Sequence, residues 1–182
     1  MQPNDTEIAP GIESFVLADD GTFPNSHLPV VLYRRGIALA PNKPAASIEE
    51  RYHDQGWDGT WRNGIYPFHH YHSTAHEVLG IASGTVRVQL GGPDGKTLEL
   101  EAGDVVILPA GVAHRNLGGS EDLVVVGAYP PGQQWDLLKG GPNDRPDADH
   151  TIAHVPLPQT DPVLGEHGPL VTLWKDATTQ QK

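Results

Sequence analysis

The apolar positions of this chain come in short blocks. From Trp61 onward the blocks have strand length and are separated by turns rich in glycine, proline and aspartate. Glu77 to Ala82 and Thr85 to Leu90 flank the tight turn Ser83-Gly84. In the second block Val86, Val88 and Leu90 alternate with Thr85, Arg87 and Gln89, the pattern of a strand with one buried and one wetter face. The turn Gly91-Gly92-Pro93-Asp94-Gly95 leads into Leu98-Glu99-Leu100, and Val105 to Leu108, Ala113 onward and Leu123 to Val126 follow. About six short antiparallel strands at near-regular spacing predict an all-β barrel or jelly roll.

Upstream, Phe15-Val16-Leu17 precedes the turn Asp19-Asp20-Gly21, and Pro29 to Tyr33 is a compact β-prone run, so the first part of the chain reads as an extended arm. One short helix is signalled. Pro44 precedes Ala45-Ala46-Ser47, and Ser47 with Glu50 has capping-box spacing. That helix is expected to run through Arg51 and Tyr52 and to stop near Gly56. After Tyr129 the chain is rich in proline and polar residues. Trp135, Leu137 and Leu138 are expected to dock a short helix on the barrel, and Asp149 to His154 to form another helical turn. The organisation is read as a single domain over 1–182: an N-terminal arm and helix (1–60), a barrel core (61–129) and a C-terminal extension packed on the barrel (130–182). No internal repeat stands out at solenoid or propeller periods.

Composition narrows the function classes. A length of 182 residues suits one domain with a real core. The formal net charge of -11 repels phosphate backbones and anionic membrane surfaces, so no nucleic acid and no membrane are expected as partners. With no cysteine, disulfides and thiolate metal ligands are excluded. The stretch MQPNDTEIAP lacks the basic and apolar regions of a signal peptide, and no apolar run approaches membrane-spanning length. A cytoplasmic protein is the expectation.

The candidate chemistry sits in HHYHSTAHEVLGIASG, residues 69–84, where four of the ten histidines fall within eight positions. A solvated histidine-rich turn would explain this without function; a metal site would explain it with one. In an extended strand, side chains at i and i+2 share a face, so His70 and His72 point the same way while His69 and Tyr71 point the other. A turn after His72 brings Glu77 alongside, and His114, following the turn Pro109-Ala110-Gly111, offers a further ligand from another strand.

Spacing then ties these residues to a known family. Gly64, five residues, His70, one residue, His72, four residues, Glu77, six residues and Gly84 together resemble the first cupin motif. Gly103, five residues, Pro109, Gly111 and His114 resemble the second, apart from its closing asparagine: Asn116 comes two positions after His114, and Gly118 stands where the family has the asparagine. The segments HHYHSTAHEVLG, AGDVVILPAGVAHRNLG and VVGAYPPGQQWDLL further resemble the bacterial YjlB-type cupins. This resemblance to the RmlC-like cupin superfamily implies a double-stranded β-helix, with the N-terminal arm, one short helix and the C-terminal extension added to the barrel. It implies metal ligation by His70, His72, Glu77 and His114. Three imidazoles and one carboxylate suit one divalent transition metal per chain, Fe, Mn, Ni, Cu or Zn, and leave positions open for water or substrate.

Other residues are placed around this centre. His76 adjoins Glu77, so alternation turns it away from the metal unless the preceding turn overrides it and His76 replaces Glu77; a supporting or substrate-facing role is expected. Tyr66 and Arg62 are expected in the same surroundings. His69 is expected to be a packing residue. His150 and His154 have i, i+4 spacing without the glutamate of the zincin pattern and read as a docked or solvated helix end. Trp57 and Trp61 read first as packing aromatics, and Arg62, Arg87 and Arg115 as the cations nearest the motifs. Tyr66 and Tyr129 lie at strand ends near the expected mouth, and His76, Tyr66 and Glu101 are candidate bases.

Three functions fit this reading. The first is a metal-dependent oxidoreductase of the dioxygenase kind acting on a small organic molecule. The second is a metal-dependent isomerase or lyase of a sugar or keto acid. The third is a non-enzymatic small-molecule or metal-binding module, as in seed-storage cupins. No catalytic residue is assigned at this level. The extended arm suggests strand addition to a partner barrel, and a homodimer is expected.

Overall fold

A computed structural model describes residues 6–9 and 11–180; residues 1–5 and Pro10, part of the stretch read for a signal segment, lie outside the described residues. The chain order begins with β1 (Thr6–Ala9), β2 (Ile12–Leu17), β3 (Ser26–Tyr33), α1 (Pro44–Asp54) and β4 (Asp58–Asn63). It continues with β5 (Glu77–Ser83), β6 (Thr85–Leu90), β7 (Lys96–Glu101), β8 (Val105–Leu108), β9 (His114–Gly119) and β10 (Val124–Tyr129). Two helices follow, α2 (Asp147–Ala153) and α3 (Pro169–Thr179). The strands form two antiparallel sheets, one in the order β1-β2-β3-β8-β5-β10-β4 and one in the order β7-β6-β9. This is the jelly-roll arrangement.

Burial explains why some strands alternate and others do not. In β6 Val86, Val88 and Leu90 are buried toward the larger sheet while Thr85 and Arg87 face water. The strands β8 and β5 are buried on both faces. Val106 and Leu108 join Leu79, Ile81 and Val125 in a core between the sheets. Val105 and Ile107 join Val78 and Val126 in a second core beneath the helices, with Ile48, Tyr52, Leu170 and Trp174. A run such as Val105-Val106-Ile107-Leu108 is therefore apolar at every position because each face has its own partner layer.

Three helices are present among the described residues: α1 where the short helix was signalled, α2 over the turn expected at Asp149 to His154, and α3, which was not expected. The first starts earlier than its expected cap: Pro44 is at the first helical turn, Lys43 is the N-cap, and no side chain caps it. Ser47 lies inside the helix and donates its hydroxyl back to the Lys43 carbonyl at 3.1 Å. Proline at N1 needs no N–H partner and sets φ for the helix, which removes the need for the capping box. Leu138 and its neighbours form no helix. They lie along the first motif instead, where Tyr71 and Leu138 exchange backbone hydrogen bonds at 2.9 and 3.0 Å. The segment 130–139 is thus held as an added bridge to the site strand. The last helix had no expectation attached. It packs on β3, and Trp174 donates Nε1–H to the Pro29 carbonyl at 2.8 Å. No helix among the described residues is long and apolar enough to cross a membrane.

Candidate metal centre

The two motifs meet through the backbone. His70 and His114 form a bridge, exchanging N–H to C=O bonds at 3.2 and 2.9 Å. Gly111 closes the arrangement by donating its N–H to the His72 carbonyl at 2.8 Å. Its φ of +94° and its close approach to Asn25, where a Cβ would stand 2.2 Å from the carbonyl oxygen, leave room only for glycine. The three rings of His70, His72 and His114 converge, with one nitrogen of each within 4.8 Å of the others. All three rings are buried.

Each ring is also oriented. His70 Nδ1 lies 3.1 Å from the Phe68 carbonyl, His114 Nδ1 lies 3.0 Å from the Val112 carbonyl, and His72 Nδ1 meets the Asp136 carbonyl. A carbonyl only accepts, so each Nδ1 donates its proton there and each Nε2 is turned away from the carbonyl. Glu77 opens β5 on the face of Leu79, toward the space between the sheets. Its Oε2 stands 3.3 Å from His72 Nε2 and 3.2 Å from His114 Nε2, yet this buried oxygen makes no well-formed hydrogen bond. Its Oε1 accepts the hydroxyl of Tyr129 at 3.1 Å, and that hydroxyl accepts Trp61 Nε1–H at 2.8 Å. Gly127 makes this relay possible, because a Cβ there would stand 2.2 Å from the Trp61 ring.

Charge follows this geometry. Burial, then the neighbouring His114 ring, drives His70 down to about 3, so its ring is neutral at physiological pH. Burial opposes charge on Glu77 as well, but His72 and His114 outweigh it and hold the carboxyl well below the usual carboxylate range. For His72 burial likewise opposes the charged form, and Glu77 reverses the sign and raises it. Converging ring nitrogens and an anionic oxygen in a buried site call for a cation, proton or metal, among them. The set therefore fits a divalent transition ion, with nitrogen and oxygen donors and no softer ligand.

Strand alternation turns His76 the opposite way from Glu77. It is not among the residues that line the cavity over the centre. Its Nδ1 accepts the Ala110 N–H at 2.9 Å and its ring lies 4.6 Å from that of Trp174. Burial drives it down to about 3, against a weaker push from the Pro156 carbonyl. It ties the second-motif turn to α3 and faces no solvent.

A cavity of about 440 Å³ opens over the centre. Tyr66 and Arg62 both line it, but the Arg62 guanidinium is held by Glu49 in a bidentate pair at 2.7 and 2.6 Å. Trp61 is in the wall, whereas Trp57 is fully buried and donates Nε1–H to the Thr160 carbonyl. Arg87 pairs with Glu99 and Arg115 with Gln89, and neither lines the cavity. Glu101 is exposed at the end of β7, outside the cavity. His69 packs on Phe23 with ring centroids 5.4 Å apart, and His150 and His154 lie on the exposed end of α2.

Two contributors were not legible in the chain. Trp135, read as a helix anchor, is a wall residue of the cavity. Asp136 accepts the N–H and hydroxyl of Ser73, and so fixes the step between His72 and Glu77. The only local signal is an aromatic-acid pair shortly after a strand end.

Comparison with known proteins agrees with this architecture. Residues 62–127 match the cupin domain family. The chain is 39% identical over 163 residues to Uncharacterized protein YjlB of Bacillus subtilis (strain 168), covering 89% of this chain and 96% of that protein. Among solved structures it is similar to acireductone dioxygenase from Bacillus anthracis with a cadmium ion in its active centre. That likeness is 21% identical with a TM-score of 0.40, over 55% of this chain and 70% of that one. It is also similar to oxalate decarboxylase from Bacillus subtilis, at 18% identity and a TM-score of 0.32, over 71% of this chain and 23% of that one.

Proposed function

The chain belongs to the cupin superfamily, in the YjlB-like group, and from that premise we propose that it is a metal-dependent oxidoreductase acting on a small organic molecule. His70, His72, Glu77 and His114 would hold one divalent transition ion. The observation that carries this is the shared orientation of the three imidazoles: every Nδ1 is pinned to a carbonyl, and Nε2 of His72 and His114 stand 3.3 and 3.2 Å from the buried Glu77 Oε2.

When bound, such an ion supplies Lewis acidity and open coordination positions toward a substrate oxygen. The chain's own residues prepare the site. Three backbone carbonyls fix ring orientation, and Tyr129 fixes the rotation of the Glu77 carboxylate. Trp135 and Tyr66 line the cavity over the centre. An isomerase would need a positioned proton carrier. His76 and Glu101 lie outside the cavity and the Tyr129 hydroxyl is engaged with Glu77 and Trp61, which leaves Tyr66 alone in the wall. The oxidoreductase reading asks for no such group and is preferred. We also propose a homodimer, formed at β1, which ends the larger sheet among the described residues.

Elemental analysis of untagged protein, followed by O2-uptake screening with the native metal restored, tests the function. Uptake that is indifferent to the metal would reject it. Light scattering at micromolar concentration tests the assembly, and a monomer mass would reject the dimer.

A further inference from the structure

Much of the cavity wall is aromatic and aliphatic, from Trp61, Tyr66, Tyr129 and Trp135 with Ile65 and Leu79. Its volume of about 440 Å³ is near the small end of the range for small-molecule sites, about 300–1,000 Å³. Tyr66 and Trp135 are 47% and 49% exposed, and both stand at this cavity. Large apolar side chains left open to water around a concave site mark ligand contact more than folding. Neither is loose. Tyr66 stacks on Phe68 at 4.9 Å and meets the His70 ring edge-on at 5.1 Å. Trp135 lies nearly parallel to Tyr129, 21° apart at 6.4 Å, and meets the His72 ring at 5.6 Å. The rings are held before any ligand arrives, which lowers the cost of binding a flat molecule.

Charge narrows the choice. Arg62 is the only lysine or arginine in the wall, and Glu49 already engages its guanidinium. A divalent ion beside the Glu77 carboxylate would leave one net positive charge, which a single deprotonated hydroxyl neutralises. A small dianion would instead leave surplus negative charge against apolar walls, with no ammonium or unengaged guanidinium among the lining residues to offset it.

Resting on the metal reading above, we infer that the cavity takes a planar aromatic molecule of one or two rings carrying two adjacent oxygen substituents, of the ortho-dihydroxy kind. The ring lies against Trp135 and Tyr66, and the oxygen pair faces the three histidines. Small aliphatic dicarboxylates are disfavoured by the same walls.

The test uses zinc-loaded protein, because zinc has no redox chemistry and the probe survives. It is titrated with 4-nitrocatechol, followed by visible absorption, and with oxalate in competition. The expected result is saturable binding of 4-nitrocatechol at least about tenfold tighter than oxalate. Trp135→Ala should weaken 4-nitrocatechol about 3–10-fold while leaving oxalate affinity and zinc content unchanged. Oxalate binding as tightly as the ring probe, an equal effect of Trp135→Ala on both, or no saturable ring binding below about 1 mM would each overturn the inference. Wild-type protein that retains no zinc would defeat the metal reading instead, and with it the oxygen-pair half of this one. The ring preference would then be read in the metal-free protein, where 4-nitrocatechol binding that ignores Trp135→Ala overturns it.

Discussion

His70 and His114 are partners twice over. Their backbones exchange both hydrogen bonds of an antiparallel pair, and their rings stand 4.0 Å apart on the same face. The backbone pairing joins the two motifs without help from either ring. Removing the rings should therefore spare the fold and cost the metal. For His70→Ala/His114→Ala we expect a native circular dichroism spectrum and metal affinity reduced by more than the roughly 100-fold ceiling for residues that only support ligands. Near-full metal occupancy in the purified variant, by elemental analysis, would refute the assignment.

Tyr129 makes a subtler contribution. Its hydroxyl stands between Trp61 Nε1–H and Glu77 Oε1, so it fixes which carboxylate oxygen faces the histidines. Tyr129→Phe keeps the ring and removes both bonds. We expect metal affinity to fall about 10–100-fold, the range for groups that orient a ligand. Fluorescence should also report a changed Trp61 environment. Unaltered affinity by competitive chelation would show that Glu77 needs no such support.

His76 should separate folding from metal binding. Its ring accepts the Ala110 N–H and lies against Trp174. His76→Ala leaves a buried N–H without a partner and opens space beneath the helix. We expect a stability loss of about 2–4 kcal/mol in denaturant melts, with metal affinity within about tenfold of the parent. His76→Phe, which keeps the volume, should recover part of the stability. Metal loss equal to that of His114→Ala would place His76 at the centre instead.

These residues also show where the sequence is readable. The β6 alternation of Val86, Val88 and Leu90 is visible because its sheet has one wet face. The double burial of β8 hides its facing, since Val105 to Leu108 are apolar throughout. The edge strand β4, Asp58–Asn63, is almost wholly exposed and carries no apolar period to find. The helix α3 did have a signal: Gly168 and Pro169 start it, and Leu170, Trp174 and Ala177 follow at helical spacing. Motif spacing brings His70, His72, Glu77 and His114 to one place because local strand geometry and two turns decide it. The supports of that place come from far along the chain. The Asp136 carbonyl is 64 residues from His72, and Tyr129 is 52 from Glu77. No local pattern marks such partners; only the closed barrel brings them together.

Asp136 offers the sharpest test of that long-range support. Its carboxylate accepts the Ser73 N–H at 2.6 Å and the Ser73 hydroxyl, while its backbone carbonyl meets His72 Nδ1. The side chain thus holds the turn between two candidate ligands, and the main chain orients one of them. Asp136→Ala removes the first function and keeps the second. Hydrogen bonds to a charged group are worth about 1.5–3 kcal/mol each, and some of that returns as water reaches this half-buried turn. We expect a stability loss of about 2–3 kcal/mol and metal affinity lower by about tenfold. Asp136→Asn retains one acceptor oxygen and should fall between. If Asp136→Ala lowers stability while metal affinity stays at the parent value, the turn contributes to folding alone, and the spacing of His72 and Glu77 is set by the strands that carry them.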